Sequence, residues 1–189
     1  MTTSTAAAWL YAVMASLLFG ASIYETVVVH PAWSRKPPES FAAFMGEPVG
    51  RMNIATFWIP MAPLFALSSL VALGTAYSNG TLGAPIIISS ICAVAAVAWT
   101  LAYFRPTVSR FLEQGGGGAS ADRLRSEARL WIRLNLVRTT LVMIAWWGAL
   151  ATLDREAELP PHRQQRPSTL SPAGPETVCK PSTCEPSSP

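Results

Sequence analysis

Between Arg51 and Arg105 the chain runs through 53 residues, 52–104, without one Asp, Glu, Lys or Arg. As unbroken helix that stretch would measure about 80 Å at ~1.5 Å per residue, against a hydrocarbon core of about 30 Å. One membrane crossing cannot use it, but two crossings joined by a turn can. The rest of the chain agrees. Of its 189 residues 50% are hydrophobic and 13% charged, where a soluble domain carries about 25% charged residues. A water-soluble enzyme, a nucleic-acid-binding domain and a secreted disulfide scaffold are excluded. The partner implied at once is the lipid bilayer.

The expected fold is all-α: a four-transmembrane-helix bundle, with an amphipathic helix leading into the fourth span and a disordered C-terminal tail. The spans fall at about 6–29, 53–77, 84–104 and 130–153. Residues 1–153 form the transmembrane domain and 154–189 a Pro/Ser-rich tail. The first span opens without the basic n-region of a signal peptide, and Phe19 stands where a cleavage site after Ala21 would want a small residue. It therefore reads as a retained helix. His30-Pro31 is expected to end it, since the residue before proline is pushed out of the α region. Ser40 is placed to cap a short interfacial helix. The second span contains Pro60 and Pro63, which remove backbone hydrogen bonds and bend a helix. Ser78-Asn79-Gly80-Thr81 is a turn signal. Gly115 to Gly118 lack the strand and lysine of a phosphate cradle and read as a linker. From Ser120 the spacing of Asp122, Leu124, Arg125, Glu127 and Leu130 is helical and amphipathic. The last 36 residues hold eight of the 16 prolines, a composition that buries no core.

Cysteine usage adds little. Cys92 lies in an apolar run and reads as packing. Cys179 and Cys184 share the tail and can pair if it faces an oxidising compartment. The net charge is +3, and all but two of the 14 basic residues are arginines. Those near the spans cluster in the two loops at one face. The positive-inside rule places both loops in the cytoplasm and both termini outside, in a multi-pass protein of the plasma membrane.

Four spans impose a parity rule. The first and third end, and the second and fourth begin, at the same face. Glu25 and His30 close the first span, Asn53 opens the second, Arg105 closes the third, and Arg133, Asn135 and Arg138 lie early in the fourth. All gather near one face, while the opposite half holds almost nothing but Ala, Leu, Val, Ser and Thr. Glu25 lies about 7 Å along the helix from His30, and Arg138 about 12 Å beyond Leu130, so both sit in or near hydrocarbon. A charge at the bilayer centre costs about 2.5–3.5 kcal/mol on insertion scales, so such residues face the interior and pair. Glu25 and Arg138 are expected to neutralise each other. Trp131, Asn135 and Arg138 are spaced i, i+4, i+7 and share one helix face. Arg133 points elsewhere and reads as a residue reaching to headgroups. Trp9, Trp33, Trp99, Trp146 and Trp147 suit aromatic belts, which leaves Trp58 and Trp131 as pocket walls.

The stretch Gly20-x-x-x-Tyr24-Glu25 with His30-Pro31-x-Trp33, a Gly- and Asn-containing start to the second span, and Trp131-x-x-x-Asn135-x-x-Arg138-Thr139 resembles a family of small four-helix membrane proteins. That family includes the anthrone-oxygenase-like proteins of aromatic polyketide pathways. The resemblance covers roughly residues 8 to 153; the tail and the loop glycines lie outside it. It implies cofactor-independent monooxygenation, in which an anthrone is deprotonated and its carbanion reacts with O₂ to give an anthraquinone. It further implies that His30 or Glu25 is the general base, that Arg138 and Asn135 stabilise the enolate-like oxygen, and that Asn53, Trp58 and Trp131 bind the flat substrate. An alternative stays open: a non-catalytic bundle whose polar cluster is structural and which acts by binding a partner. A transporter fits less well, since the polar groups sit at one face and not at the midplane. One histidine near a span argues against haem, and a metal held by Glu25, His30 and Asn53 has little support.

The topology is open to test. A reporter fused after Leu153 should report an external C-terminus; a cytoplasmic signal would reverse this orientation.

Overall fold

The computed structural model describes residues 3–35, 40, 54–107, 110 and 121–158. Among them every element of secondary structure is helical. α1 (Thr3–Tyr24) passes through a π-turn (Glu25–Val29) into a last short turn, α2 (His30–Trp33). α3 (Ile54–Ser78), α4 (Ala84–Trp99) with a second π-turn (Thr100–Phe104), and α5 (Ala121–Glu158) complete it. Four stretches are long and apolar enough to cross a membrane: Thr3–Ala32, Phe57–Ser78, Ala84–Thr107 and Asp122–Glu158. The chain is an integral membrane protein, and the amphipathic helix before the fourth span is continuous with it. The expected interfacial helix after Ser40, the glycine-rich linker and the tail with Cys179 and Cys184 lie outside the described residues.

The spans form a ring in which each packs against its sequence neighbours and the fourth closes on the first. The inward faces repeat at alternating intervals of three and four. In the fourth span Leu124, Ala128, Trp131, Asn135, Arg138, Val142, Ala145 and Ala149 are all buried. In the first, Ser4, Ala8, Tyr11, Ala15, Leu18, Ser22, Glu25 and Val29 are. Such a seam is the signature of knobs-into-holes helix packing. Seven of these sixteen are Ala or Ser, the small residues that let membrane helices approach closely. Gly148 gives the clearest case: a Cβ there would lie 2.5 Å from Ser89 Cβ and 2.8 Å from Pro85 O.

The second span ends as its Asn79-Gly80 pair suggests. Gly80 adopts φ +67°, its N–H bonds to Tyr77 O, and Thr81 N–H bonds to Ala76 O at 2.9 Å. This pair of bonds caps the last carbonyls in a Schellman motif.

The first span departs from expectation at its end. His30 is helical (φ −60°, ψ −45°) and donates to Glu25 O across the π-turn, so the helix runs past Pro31. The wider turn releases the carbonyl that the proline ring would strike and whose bond it cannot make. It also inserts one residue, which rotates the rest of the helix by about 100°. The seam would otherwise continue from Val29 to Ala32; instead His30 is buried and Ala32 is exposed.

The opposite end of the bundle is also less bland than its composition suggests. α5 continues to Glu158, and Glu156 is buried. Its carboxylate accepts from Ser4 Oγ at 2.8 Å and from the hydroxyls of Thr5 and Thr81 at 3.5 Å. A carboxylate there also complements the positive end of α1.

Replacing Gly148 with Leu should separate the third and fourth spans and destabilise the bundle by about 1–3 kcal/mol or more through overpacking. Gly74→Ala, where a Cβ meets nothing within 4 Å, should be tolerated. Thermal unfolding of both variants in detergent checks the contrast.

Candidate functional site

Charged residues on the exposed face of the fourth span mark the depth of the bilayer. Arg133 and Asp154 are both exposed, and the 21 residues between them in sequence number correspond to about 32 Å of helix, close to the ~30 Å hydrocarbon core. Arg138 lies five positions further in than Arg133, or about 7.5 Å. A guanidinium at that depth must find its partners inside the protein.

It finds them on all three other spans. Arg138 Nη2 donates to Glu25 Oε2 of the first span at 2.8 Å, both side chains being buried. Its guanidinium carbon lies 4.8 Å from the ring centre of Trp58, on the second span. From the third span, Phe104 presents its ring at 5.0 Å and Thr100 Oγ1 accepts from Nη1 at 3.4 Å. The cation therefore sits between two aromatic rings, where a desolvated cation–π contact stabilises by about 2 kcal/mol. Trp58 also donates its indole N–H to Glu25 Oε1 at 3.0 Å. Each oxygen of the Glu25 carboxylate is thereby occupied.

One turn nearer the loops, Asn135 and His30 meet, with amide Nδ2 3.3 Å from Nε2. Asn135 is fully buried and His30 is 2% exposed. Trp131 packs edge-on against His30, centroids 5.0 Å apart, and against Phe104 at 5.3 Å. The polar layer lies between two apolar ones. Toward the bilayer centre is the main core, built around Leu18, Phe65, Ala93, Val142 and Ala145. Toward the loops, a second cluster joins Val29, Phe104, Leu124, Ala128 and Trp131.

The polar layer is not self-satisfied. Among the described residues Asn135 Oδ1, Arg138 Nε, Thr139 Oγ1 and Ser22 Oγ are buried without a hydrogen-bond partner. An unmade bond of this kind leaves about 1–3 kcal/mol of desolvation cost uncompensated. The site thus offers a charged donor edge beside a neutral amide, in a dry aromatic surround. The free guanidinium N–H can hold an anionic or developing-anionic oxygen there.

Six of the seven residues singled out from sequence, Glu25, His30, Trp58, Trp131, Asn135 and Arg138, come together here. Asn53 lies outside the described residues. Trp58 and Trp131 contact the polar groups themselves. Arg105, grouped with them by parity, is exposed. The second π-turn turns Phe104 and Thr107 inward and Arg105 out. Thr100 and Phe104 were missed, because a threonine and a phenylalanine in an apolar run carry no charge to single them out. A signal existed in the spacing, since Pro31 and Pro106 each stand six positions after the start of a π-turn. Of the expected belt tryptophans, Trp9 and Trp147 are exposed. Trp146 instead donates to Ser16 Oγ at 3.0 Å and stacks on Phe19, and Trp99 leans on Phe104.

Removing one member of the buried ion pair should be costly. Glu25→Leu alone leaves a guanidinium without its counter-ion and should destabilise by about 3–5 kcal/mol. Combining it with Arg138→Met should restore most of the loss. Unfolding of the two single variants and the double variant in detergent measures both halves of the prediction.

A family model described as anthrone oxygenase matches residues 52–147. No curated protein and no solved structure matches the chain. The matched segment carries Trp58, Thr100, Phe104, Trp131, Asn135 and Arg138, and it stops short of the first span, which supplies Glu25 and His30. With just over half of the 189 residues matched, the chain belongs to the anthrone oxygenase family.

Proposed function

We propose that this protein is a membrane-embedded monooxygenase that converts the methylene of a lipophilic, anthrone-type aromatic into a carbonyl, using O₂ without a cofactor. The observation that carries the reading is the pair of unused positions, Arg138 Nε and the atom of the Asn135 amide that does not face His30, both buried in the seam of the fourth span. They lie at a depth that a lipophilic substrate reaches from the bilayer. The reaction balances without an added reductant. A base removes a proton from the ring methylene, and the electron pair delocalises onto the ring oxygen. Carbon then bonds to O₂, and loss of the second hydrogen with cleavage of the O–O bond gives the quinone carbonyl and one water.

The roles divide according to what each group already does. Glu25 has both oxygens engaged, by Trp58 and by Arg138, so it acts as a positioning residue that holds the guanidinium. His30 is then the base. The amide of Asn135 meets it in one of two forms. With Nδ2 donating to Nε2, the ring lone pair is spent on the amide. With the amide turned over, Oδ1 accepts from Nε2–H and the lone pair lies on Nδ1. Proton removal uses the second form. Arg138 stabilises the developing oxyanion, and Trp131 and Trp58 hold the flat ring system together with Asn53.

The test is direct. With the protein in detergent, an anthrone and O₂, quinone absorbance should rise faster than in buffer. His30→Ala should slow turnover by about 10²–10⁴-fold, the usual contribution of a general base. Asn135→Ala and Arg138→Lys should also slow it, with the melting temperature followed to separate folding from chemistry. Equal rates for buffer, wild type and the folded variants would leave the non-catalytic reading, a structural polar cluster in a partner-binding bundle.

A further inference from the structure

The fourth span presents a second feature that the polar site does not use. Along its outward face run Arg129, Arg133, Leu136, Val137, Ile144 and Trp147, all exposed. Their spacing keeps them within one stripe of the helix. The two arginines are one turn apart at the polar end of the stripe. Arg123 and Arg125, on the same helix, are paired with Glu127 and Asp122 at 3.0 and 3.3 Å. No ion pair among the described residues holds Arg129 or Arg133. Arg133 sits at the edge of the hydrocarbon by the measure of its distance from Asp154.

We propose that this stripe binds an anionic phospholipid, its phosphate held by Arg129 and Arg133 and an acyl chain lying along Leu136, Val137 and Ile144. Guanidinium and phosphate match in charge and in geometry. Two uncompensated cations one turn apart repel each other, and a headgroup phosphate between them removes that repulsion where water thins out. From Arg133 to Ile144 the stripe runs about 16 Å, close to the half of a ~30 Å hydrocarbon core that one acyl chain spans.

A second copy of the chain is the competing occupant, and charge argues against it. Copies of one sequence insert with the same orientation. A two-fold contact along this stripe would then place Arg129 and Arg133 against their own counterparts. The acidic residues of the face, Asp154 and Glu158, are at the other end of the helix. They could meet the arginines only in an antiparallel pair.

The full chain, purified in mild detergent, would be mixed with phosphatidylglycerol or phosphatidylcholine and examined by native mass spectrometry. Phosphatidylglycerol should be retained in preference, with affinity falling on the order of 30-fold in the double variant R129Q/R133Q. The double variant R123Q/R125Q, which removes the same charge from the paired arginines, should keep its lipid. Helical content by circular dichroism checks that both fold, and R129K/R133K, which keeps the charge, should retain part of the binding. Equal retention of the two lipids, or equal loss in the two Gln variants, would overturn the site and reduce the effect to net charge. A disulfide-linked dimer formed through Val137→Cys would overturn it in favour of a second copy.

Discussion

A guanidinium placed about 7.5 Å inside the hydrocarbon boundary cannot be left to water, and the arrangement of this bundle follows from that. Arg138 has one neighbour or more on every other span: Glu25 on the first, Trp58 on the second, Thr100 and Phe104 on the third. In a low-dielectric surround the attraction between the carboxylate and the cation is far stronger than in water. Interhelical packing of small residues holds a bundle together without choosing its register finely. One buried cation with four directional partners does choose. Sliding the first or fourth span by a turn would part the two charges, and sliding the second or third would take Trp58 or Thr100 and Phe104 from the guanidinium, so Arg138 sets the register of the ring.

The two π-turns are what bring the partners into reach. A straight α-helix in the first span would carry the seam from Glu25 and Val29 on to Ala32, and His30 would face away. In the third span the corresponding turn brings Phe104 over the guanidinium. Each lies just ahead of a proline at the same offset, Pro31 and Pro106, and the bond from residue six to residue one runs across it in both. Inserted residues of this kind are frequent at functional sites because they re-aim one side chain without ending the helix. Here they do so on two spans at the same end of the bundle, facing the same arginine.

Charge and periodicity decide how much of this architecture is legible in the sequence. The 53-residue gap between Arg51 and Arg105 implied two spans. The 3–4 spacing of Trp131, Asn135 and Arg138 placed three site residues on one face, and parity brought Glu25 and His30 to the same end. The rest was hidden for a physical reason. Whether a helix winds with four or five residues between bonded groups is decided by packing and by a proline downstream, not by the hydrophobicity of Glu25–Val29. So His30 could be placed at the end of a span, but its inward orientation could not, nor could the outward orientation of Arg105. Glu156 was hidden differently. It stands among Asp154, Arg155 and Glu158 and looks like one more surface charge, and only the closure of the fourth span on the first brings it over Ser4 and Thr5.

The surplus at the site is what separates a strut from a functional group. A cluster evolved only to join four helices would do as well, or better, as packed hydrophobic residues, since a buried ion pair scarcely offsets its own desolvation. It would also leave nothing over. Here the guanidinium holds a donor in reserve at Nε, the amide of Asn135 holds an acceptor at Oδ1, and Thr139 and Ser22 add two hydroxyls, all buried and none with a partner among the described residues. In the proposed function their cost is borne in the empty state and recovered when an anionic oxygen accepts from Nε, from the hydroxyls and from the Asn135 amide turned over to present its NH2. That difference between empty and filled states is what a binding site requires, and it lies on the one cation that every span already touches.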